Sequence, residues 1–187
     1  MSRLNELKSA ENLKDLAKIL EFTPKGIAYN LYKVSTNEKY TTFNIPKKGG
    51  GTRTIDAPKD HIKLMQSKLS KLLYDCLDEI EKENPTRRKI SHGFHKNRGI
   101  ISNASPHIRT RYVLNIDISD FFGAINFGRV RGYFIADKSF SLNPNVATVI
   151  AQIACHNNKL PQGSPCSPII SNLILRILDI RLARLAK

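Results

Sequence analysis

The chain has no tryptophan, only two methionines and three cysteines among its 187 residues, and it is short of acids: 16 Asp and Glu stand against 30 Lys and Arg. Cys76, Cys155 and Cys166 are odd in number, far apart and never in a Cys-x-x-Cys pair. That pattern excludes a disulfide framework and a thiolate zinc site, and leaves them as buried or bystander thiols. No run approaches the roughly eighteen apolar residues of a membrane span, and Met1 to Ala10 is too polar for the hydrophobic part of a signal peptide. A cytoplasmic protein with no membrane partner is expected. Internal repeats and low-complexity linkers are also missing, while 41% hydrophobic and 25% charged residues are ordinary for a globular protein with a real core.

The most informative absence is local. From Pro85 to Ile116 there is no acid at all, against Arg87, Arg88, Lys89, Lys96, Arg98, Arg109 and Arg111, in a chain of net charge +14. A charge run is by default a solvated face. A field of one sign this dense is also the footprint of a phosphate-binding surface, and the interleaving of Phe94, His92 and His95 suits backbone contact plus base stacking, although Phe94 would equally serve as a core plug. None of His92, His95 and His107 has a metal-site partner at a credible spacing.

Apolar periodicity organises the rest. Leu4, Leu7, Leu13, Leu16, Ala17 and Leu20 follow helical spacing, with Ser9 as the N-cap of a second piece where the pattern breaks in two; Thr23-Pro24 opens another helix through Ile27, Ala28, Leu31 and Tyr32. Two strands are expected at 39–46 and 53–57, joined by Lys47-Lys-Gly-Gly-Gly-Thr52, a glycine-rich turn whose amides can face an anion. Pro58 opens a long helix with Ile62, Met65, Leu69, Leu72, Leu73, Cys76 and Ile80 on one face and His61 at its surface, ending near Asn84. Further helices are expected over 127–136 and from Asn143-Pro144 to about His156. Leu160 to Pro168 is too rich in Pro and Gly to be regular, and a last helix from Pro168 carries an apolar face broad enough to predict burial against a sheet. The polar turn at Glu83-Asn84-Pro85 is the one candidate boundary, dividing 1–84 from 85–187, and the fold class expected is α+β.

At Tyr112 to Ile118 a short alternation ends on an acid. It predicts a strand with Leu114, Ile116 and Ile118 on one face and Val113, Asn115 and Asp117 on the other, running into a turn and helix. Asp117 and Asp120 can be read as turn and helix-terminal acids, or Asp117 as a ligand for a hard cation. This stretch alone leaves both readings open.

Four motifs in one order carry a resemblance. Asp117-Ile-Ser-Asp-Phe-Phe122 resembles the first catalytic-aspartate motif of the reverse transcriptase palm. Leu160-Pro-Gln-Gly-Ser-Pro-Cys-Ser-Pro168, with Ser171-Asn172-Leu173, resembles the Pro-Gln-Gly motif that follows it. Ile45-Pro-Lys-Lys-Gly-Gly-Gly-Thr-Arg53 resembles the fingers hairpin of the bacterial enzymes, and Asn103-Ala-Ser-Pro-His107 the Asn-Ala-x-x-His element of the retron type. The resemblance covers nearly the whole chain and is to the retron-type reverse transcriptases.

It implies a fragment of the right-hand polymerase fold, with helical fingers and a β-hairpin followed by part of a palm. It implies RNA-directed DNA synthesis with two Mg²⁺ ions, Asp117 as catalytic carboxylate and Ile118 lending its carbonyl. Lys47 and Arg53 would contact the triphosphate of a dNTP, Phe122 would stand where a ribose 2′-hydroxyl would lie, and Gln162 and Gly163 would line the nucleotide pocket. Asn103 and His107 would join Arg87, Arg88, Lys89, Lys96, Arg98, Arg109 and Arg111 on the RNA side. The implied partners are a structured non-coding RNA serving as template and primer, its DNA product, and an effector protein.

The family's second acidic motif, Tyr-x-Asp-Asp, does not occur in the sequence, nor do the thumb and the Val-Thr-Gly element. Asp56 and Asp60 fall with the fingers, and Asp137 and Asp179 have the wrong context to replace it. The expectation is therefore a portion of a longer or split enzyme that is inactive alone, completed by the remaining palm and thumb in the same or a second chain. The alternative is a non-catalytic RNA-binding or assembly subunit.

Overall fold

The computed structural model describes residues 2–84, 90–95 and 97–186. Two short helices, α1 (Arg3–Lys8) and α2 (Leu13–Ile19), begin the chain. The break falls where the apolar spacing puts it, but the cap is different. Ser9 is the C-cap of α1, and Asn12 starts α2 by accepting the amides of Lys14 and Asp15 at 2.9 and 3.2 Å. An Asn with an extended backbone satisfies helix-start amides better than a Ser that still completes the turn before it. Thr23 caps α3 (Pro24–Tyr32) through the amide of Gly26, with Pro24 in the first turn, and Ser35 and Glu38 form the capping box of α4 (Thr36–Lys39).

The antiparallel strands β1 (Tyr40–Pro46) and β2 (Thr52–Pro58) pair in register from Tyr40 with Pro58 to Pro46 with Thr52. At the tip, Gly50 and Gly51 both have positive φ, the conformation this turn requires. α5 (Asp60–Glu83) is the spine of the molecule. Ile62, Met65, Leu69, Leu72, Leu73, Cys76 and Ile80 are buried along it as their spacing predicts. Its Glu79 carboxylate accepts from Ser2 Oγ and from the amides of Arg3 and Leu4, clamping the start of α1. The Ser2 hydrogen bond is the largest cause holding that carboxyl below its ordinary value. His61 is not a surface residue: it is half-buried, with Nε2 out of solvent and unpaired among the described residues.

After α6 (Ile100–Ala104) and a 3₁₀ turn at Ser105–His107 come α7 (Phe127–Ala136), α8 (Pro144–Ala154) and α9 (Ser167–Leu185). α7 packs on α8, and the rings of Tyr133, Phe134 and Phe140 meet edge to face with centroids 5.2–6.0 Å apart. One buried cluster runs from Leu4 to Leu173. The thiols of Cys76, Cys155 and Cys166 are unpaired and pushed up to about 12 by burial, so they stay protonated and unreactive. No helix among the described residues is long and apolar enough to cross a membrane.

Two expectations are overturned. Residues 112–118 are irregular and belong to no strand, with Leu114 82% and Ile116 68% exposed. A strand exists only when a neighbour takes its amides and carbonyls, and among the described residues the sheet is the two-stranded hairpin alone. The apolar face of α9 is likewise not buried on a sheet. Its first turns, with Ile169, Ile170 and Leu173, pack against α5 and α7, while Ile177 and Leu185 face solvent.

Candidate nucleotide and metal site

The segment 156–162 is a strut between the hairpin and the second half of the chain. On one side the amide of Leu160 donates to the Ile125 carbonyl at 3.0 Å; on the other the amide of Asp56, in β2, donates to the Gln162 carbonyl at 2.9 Å. Ser167 Oγ donates to the Pro161 carbonyl at 2.9 Å and secures the end of this stretch. The base of the hairpin is fixed by Gln66, whose Nε2 donates to Tyr40 Oη at 2.7 Å and to the Ile153 carbonyl at 2.9 Å. Tyr40 also stacks on His156 with ring centroids 3.9 Å apart, and burial lowers the pKa of that imidazole below its ordinary value.

Between hairpin and strut lies a cavity of about 870 Å³. Lys47, Arg53, Asp117, Ile118, Phe122 and Gln162 all line it, although Asp117 lies 64 positions beyond Arg53 in the sequence. Among the described residues neither Lys47 nor Arg53 engages a carboxylate, so both cations remain available to an anion. Asp117 is exposed and, among the described residues, its Oδ1 accepts only the amide of Ile118, at 3.0 Å. The next turn is tight: Asp120 has a φ of 45°, Ala124 donates to its carbonyl at 2.9 Å, and a Cβ on Gly123 would collide with its carboxylate. Phe122 is half-buried, edge-on to Phe121 with centroids 5.2 Å apart.

Gly163 does not line the cavity; what its missing side chain permits is the close approach of β2. Asn103, His107, Arg109 and Arg111 are exposed and lie outside the cavity, the first two in α6 and the 3₁₀ turn. The Arg111 guanidinium sits 5.4 Å from the Tyr112 ring, and Arg98 donates to the Ser91 carbonyl at 2.8 Å, bracing its own loop. Arg87, Arg88, Lys89 and Lys96 lie outside the described residues. Several lining residues are not assigned to the site by sequence, Asp56, Phe94 and Lys159 among them. Asp56 was placed with the fingers, yet the hairpin is itself one wall of the cavity; Phe94 and Lys159 also line it. No local pattern marks them, because their place depends on how distant segments meet.

Residues 45–185 match the family model described as reverse transcriptase (RNA-dependent DNA polymerase). The chain is 33% identical over 173 residues to the retron Ec86 reverse transcriptase of Escherichia coli, covering 91% of this chain and 50% of that protein. It is 34% identical over 166 residues to the retron Mx65 reverse transcriptase of Myxococcus xanthus, covering 79% and 36%. Against the retron Ec73 reverse transcriptase of Escherichia coli it is 31% identical over 171 residues, covering 86% and 50%. The chain thus spans half the length or less of these curated relatives.

Proposed function

The chain belongs to the reverse transcriptase (RNA-dependent DNA polymerase) family, and from that premise we propose that it forms the fingers, 1–84, and the first part of the palm, 85–187, of a retron reverse transcriptase. The observation that carries this reading is that one cavity is lined by the cations Lys47 and Arg53, the carboxylate of Asp117, the ring of Phe122 and the amide of Gln162, from three separate motifs. A binding or assembly module has no need to gather these five.

In this reading Lys47 and Arg53 hold the triphosphate of an incoming dNTP, Lys as a mobile point charge and Arg as a planar fork for phosphate oxygens. Gln162 is held by its own carbonyl bond to β2 and offers its amide to the nucleotide. Phe122 occupies the space a ribose 2′-hydroxyl would need. The primer 3′-hydroxyl attacks the α-phosphorus and pyrophosphate leaves. The exposed carboxylate of Asp117 and the carbonyl of Ile118 are hard oxygen donors of the kind Mg²⁺ takes, so the donor chemistry fits. Among the described residues no three acids, histidines or cysteines cluster, so the chain supplies part of a ligand set. When bound, the metal polarises the phosphoryl oxygens and favours the alkoxide form of the attacking hydroxyl.

The test is primer extension on an RNA template with the remaining palm and thumb supplied, by extension of the chain or in trans. DNA synthesis is expected; synthesis that never appears favours a non-catalytic RNA-binding subunit. In the completed enzyme Phe122→Ala should admit ribonucleotides while Lys47→Ala and Arg53→Ala chiefly raise the nucleotide KM. Unchanged sugar selection in the Phe122 variant would refute the gate.

The partner proposed is a structured non-coding RNA, bound through phosphates by the acid-free stretch that includes the exposed Arg109 and Arg111. Its affinity should fall with salt at a log–log slope of roughly −0.7 per phosphate neutralised on single strands. Replacing both arginines with alanine should flatten that slope without changing base preference. Titration of a labelled RNA hairpin at several salt concentrations checks it, and a salt-independent affinity contradicts it.

A further inference from the structure

We propose that Phe94 is a second specificity-determining residue of the cavity, backing the Phe122 ring against the sugar of a bound deoxynucleoside triphosphate, and that Tyr74 and Asn172 are the residues that position it. This rests on the nucleotide reading of the cavity. Phe94 is not a core plug: it is 53% exposed, yet it lines the same cavity as Asp117 and Phe122. Its ring lies 6.4 Å from that of Phe122, centroid to centroid, and is tilted 42°, within the range of a favourable aromatic pair. Phe122 therefore has Phe121 on one contact and Phe94 on another, which restricts how far it can swing.

The backbone shows that this placement is imposed. Phe94 has a φ of 57°, a left-handed conformation that a bulky residue adopts only when its surroundings over-determine it. Two donors from different helices do so at consecutive carbonyls. Asn172 Nδ2, in α9, donates to the Gly93 carbonyl at 2.8 Å, and Tyr74 Oη, in α5, donates to the Phe94 carbonyl at 2.8 Å. A turn with no function would relax; this one is fastened at two points with an aromatic ring presented to the cavity. The first of these bonds gives Asn172, four residues after Pro168 in α9, a task that helix packing alone does not require.

The experiment measures dATP and ATP binding to the 187-residue chain in Mg²⁺ by calorimetry, with Lys47→Ala as the control for the site and thermal melting as the control for the fold. The wild type is expected to prefer dATP. Phe94→Ala and Asn172→Ala should each cut that preference about 5-fold, the cost of one lost contact of hydrogen-bond strength, while dATP affinity changes less. Tyr74→Phe, which removes only the hydroxyl, should act in the same direction, and Asn172→Gln, which keeps a donor, should restore part of the preference. Equal loss of dATP and ATP in the Asn172 variant means a purely structural role and overturns the proposal. So does a preference that survives in Phe94→Ala, or a wild type that binds both without preference, in each case with nucleotide binding still lost in Lys47→Ala and the nucleotide site intact. A wild type that binds neither nucleotide overturns the site reading as well.

Discussion

Gly163→Ala is expected to destabilise the fold by about 3 kcal/mol and to loosen the hairpin from the rest of the molecule. Gly163 has a φ of 128°, where L side chains are strained, and a Cβ there would lie 2.9 Å from the Asp56 carbonyl oxygen and 3.1 Å from Ile55 Cγ2. The first of these obstacles is strand backbone and cannot rotate away, so the strut has to retreat. That retreat stretches the bond from the Asp56 amide to the Gln162 carbonyl, now 2.9 Å. Strain and one lost hydrogen bond together give the estimate. Gly132→Ala is the control of opposite sign. It sits inside α7 with nothing within 4 Å of its added Cβ, so alanine should stabilise by about 0.5–1 kcal/mol. Urea unfolding of both variants reads the difference, and a Gly163 variant as stable as the wild type would show that the strut does not bear on the hairpin.

Asp117→Asn is expected to abolish DNA synthesis by the completed enzyme, and the 187-residue chain alone is expected to extend no primer. The two outcomes share one cause. Two dications about 3.5–4 Å apart repel each other and are held only by several anionic oxygens together, whereas one carboxylate and one carbonyl meet a fraction of that demand. Asparagine keeps the shape of the side chain and an oxygen donor but removes the charge. The measurement is extension of a labelled primer on RNA with Mg²⁺, using chain purified free of host polymerases. Extension by the isolated wild-type chain that disappears in Asp117→Asn would overturn the ligand count. Folding and RNA binding should be the same in both proteins.

Most helices were legible because their signals are local. Asn143-Pro144, Thr23-Pro24 and the spacing from Ile62 to Ile80 each contain their own start signal or face, and the structure follows them. The hairpin was legible for the same reason, its turn glycines standing between two β-forming runs. The alternation at Leu114, Ile116 and Ile118 is different in kind. It records that a face is apolar, and it says nothing of which segment covers that face; the breadth of the apolar face on α9 misleads in the same way. At the site, the motifs supplied Lys47, Arg53, Asp117, Phe122 and Gln162, and the structure brings these into one cavity. Asp56 and Phe94 were not legible as lining residues, since the first depends on strand pairing and the second on bonds reaching from residues 74 and 172.

The uncovered ribbon from Tyr112 to Ile118 has a consequence for how the chain behaves in concentrated solution. Among the described residues its backbone groups have no ladder partner, five of its seven side chains are apolar, and its one charge comes at Asp117, near the end. Such a segment is the kind of edge on which other copies can add strand by strand. The net charge of +14 opposes this by mutual repulsion, but added salt screens that repulsion and leaves the apolar contact intact. Solubility of the isolated chain is therefore governed by ionic strength in the direction opposite to the usual salting-in of a basic protein: the buffer that releases bound RNA is also the buffer that promotes self-association.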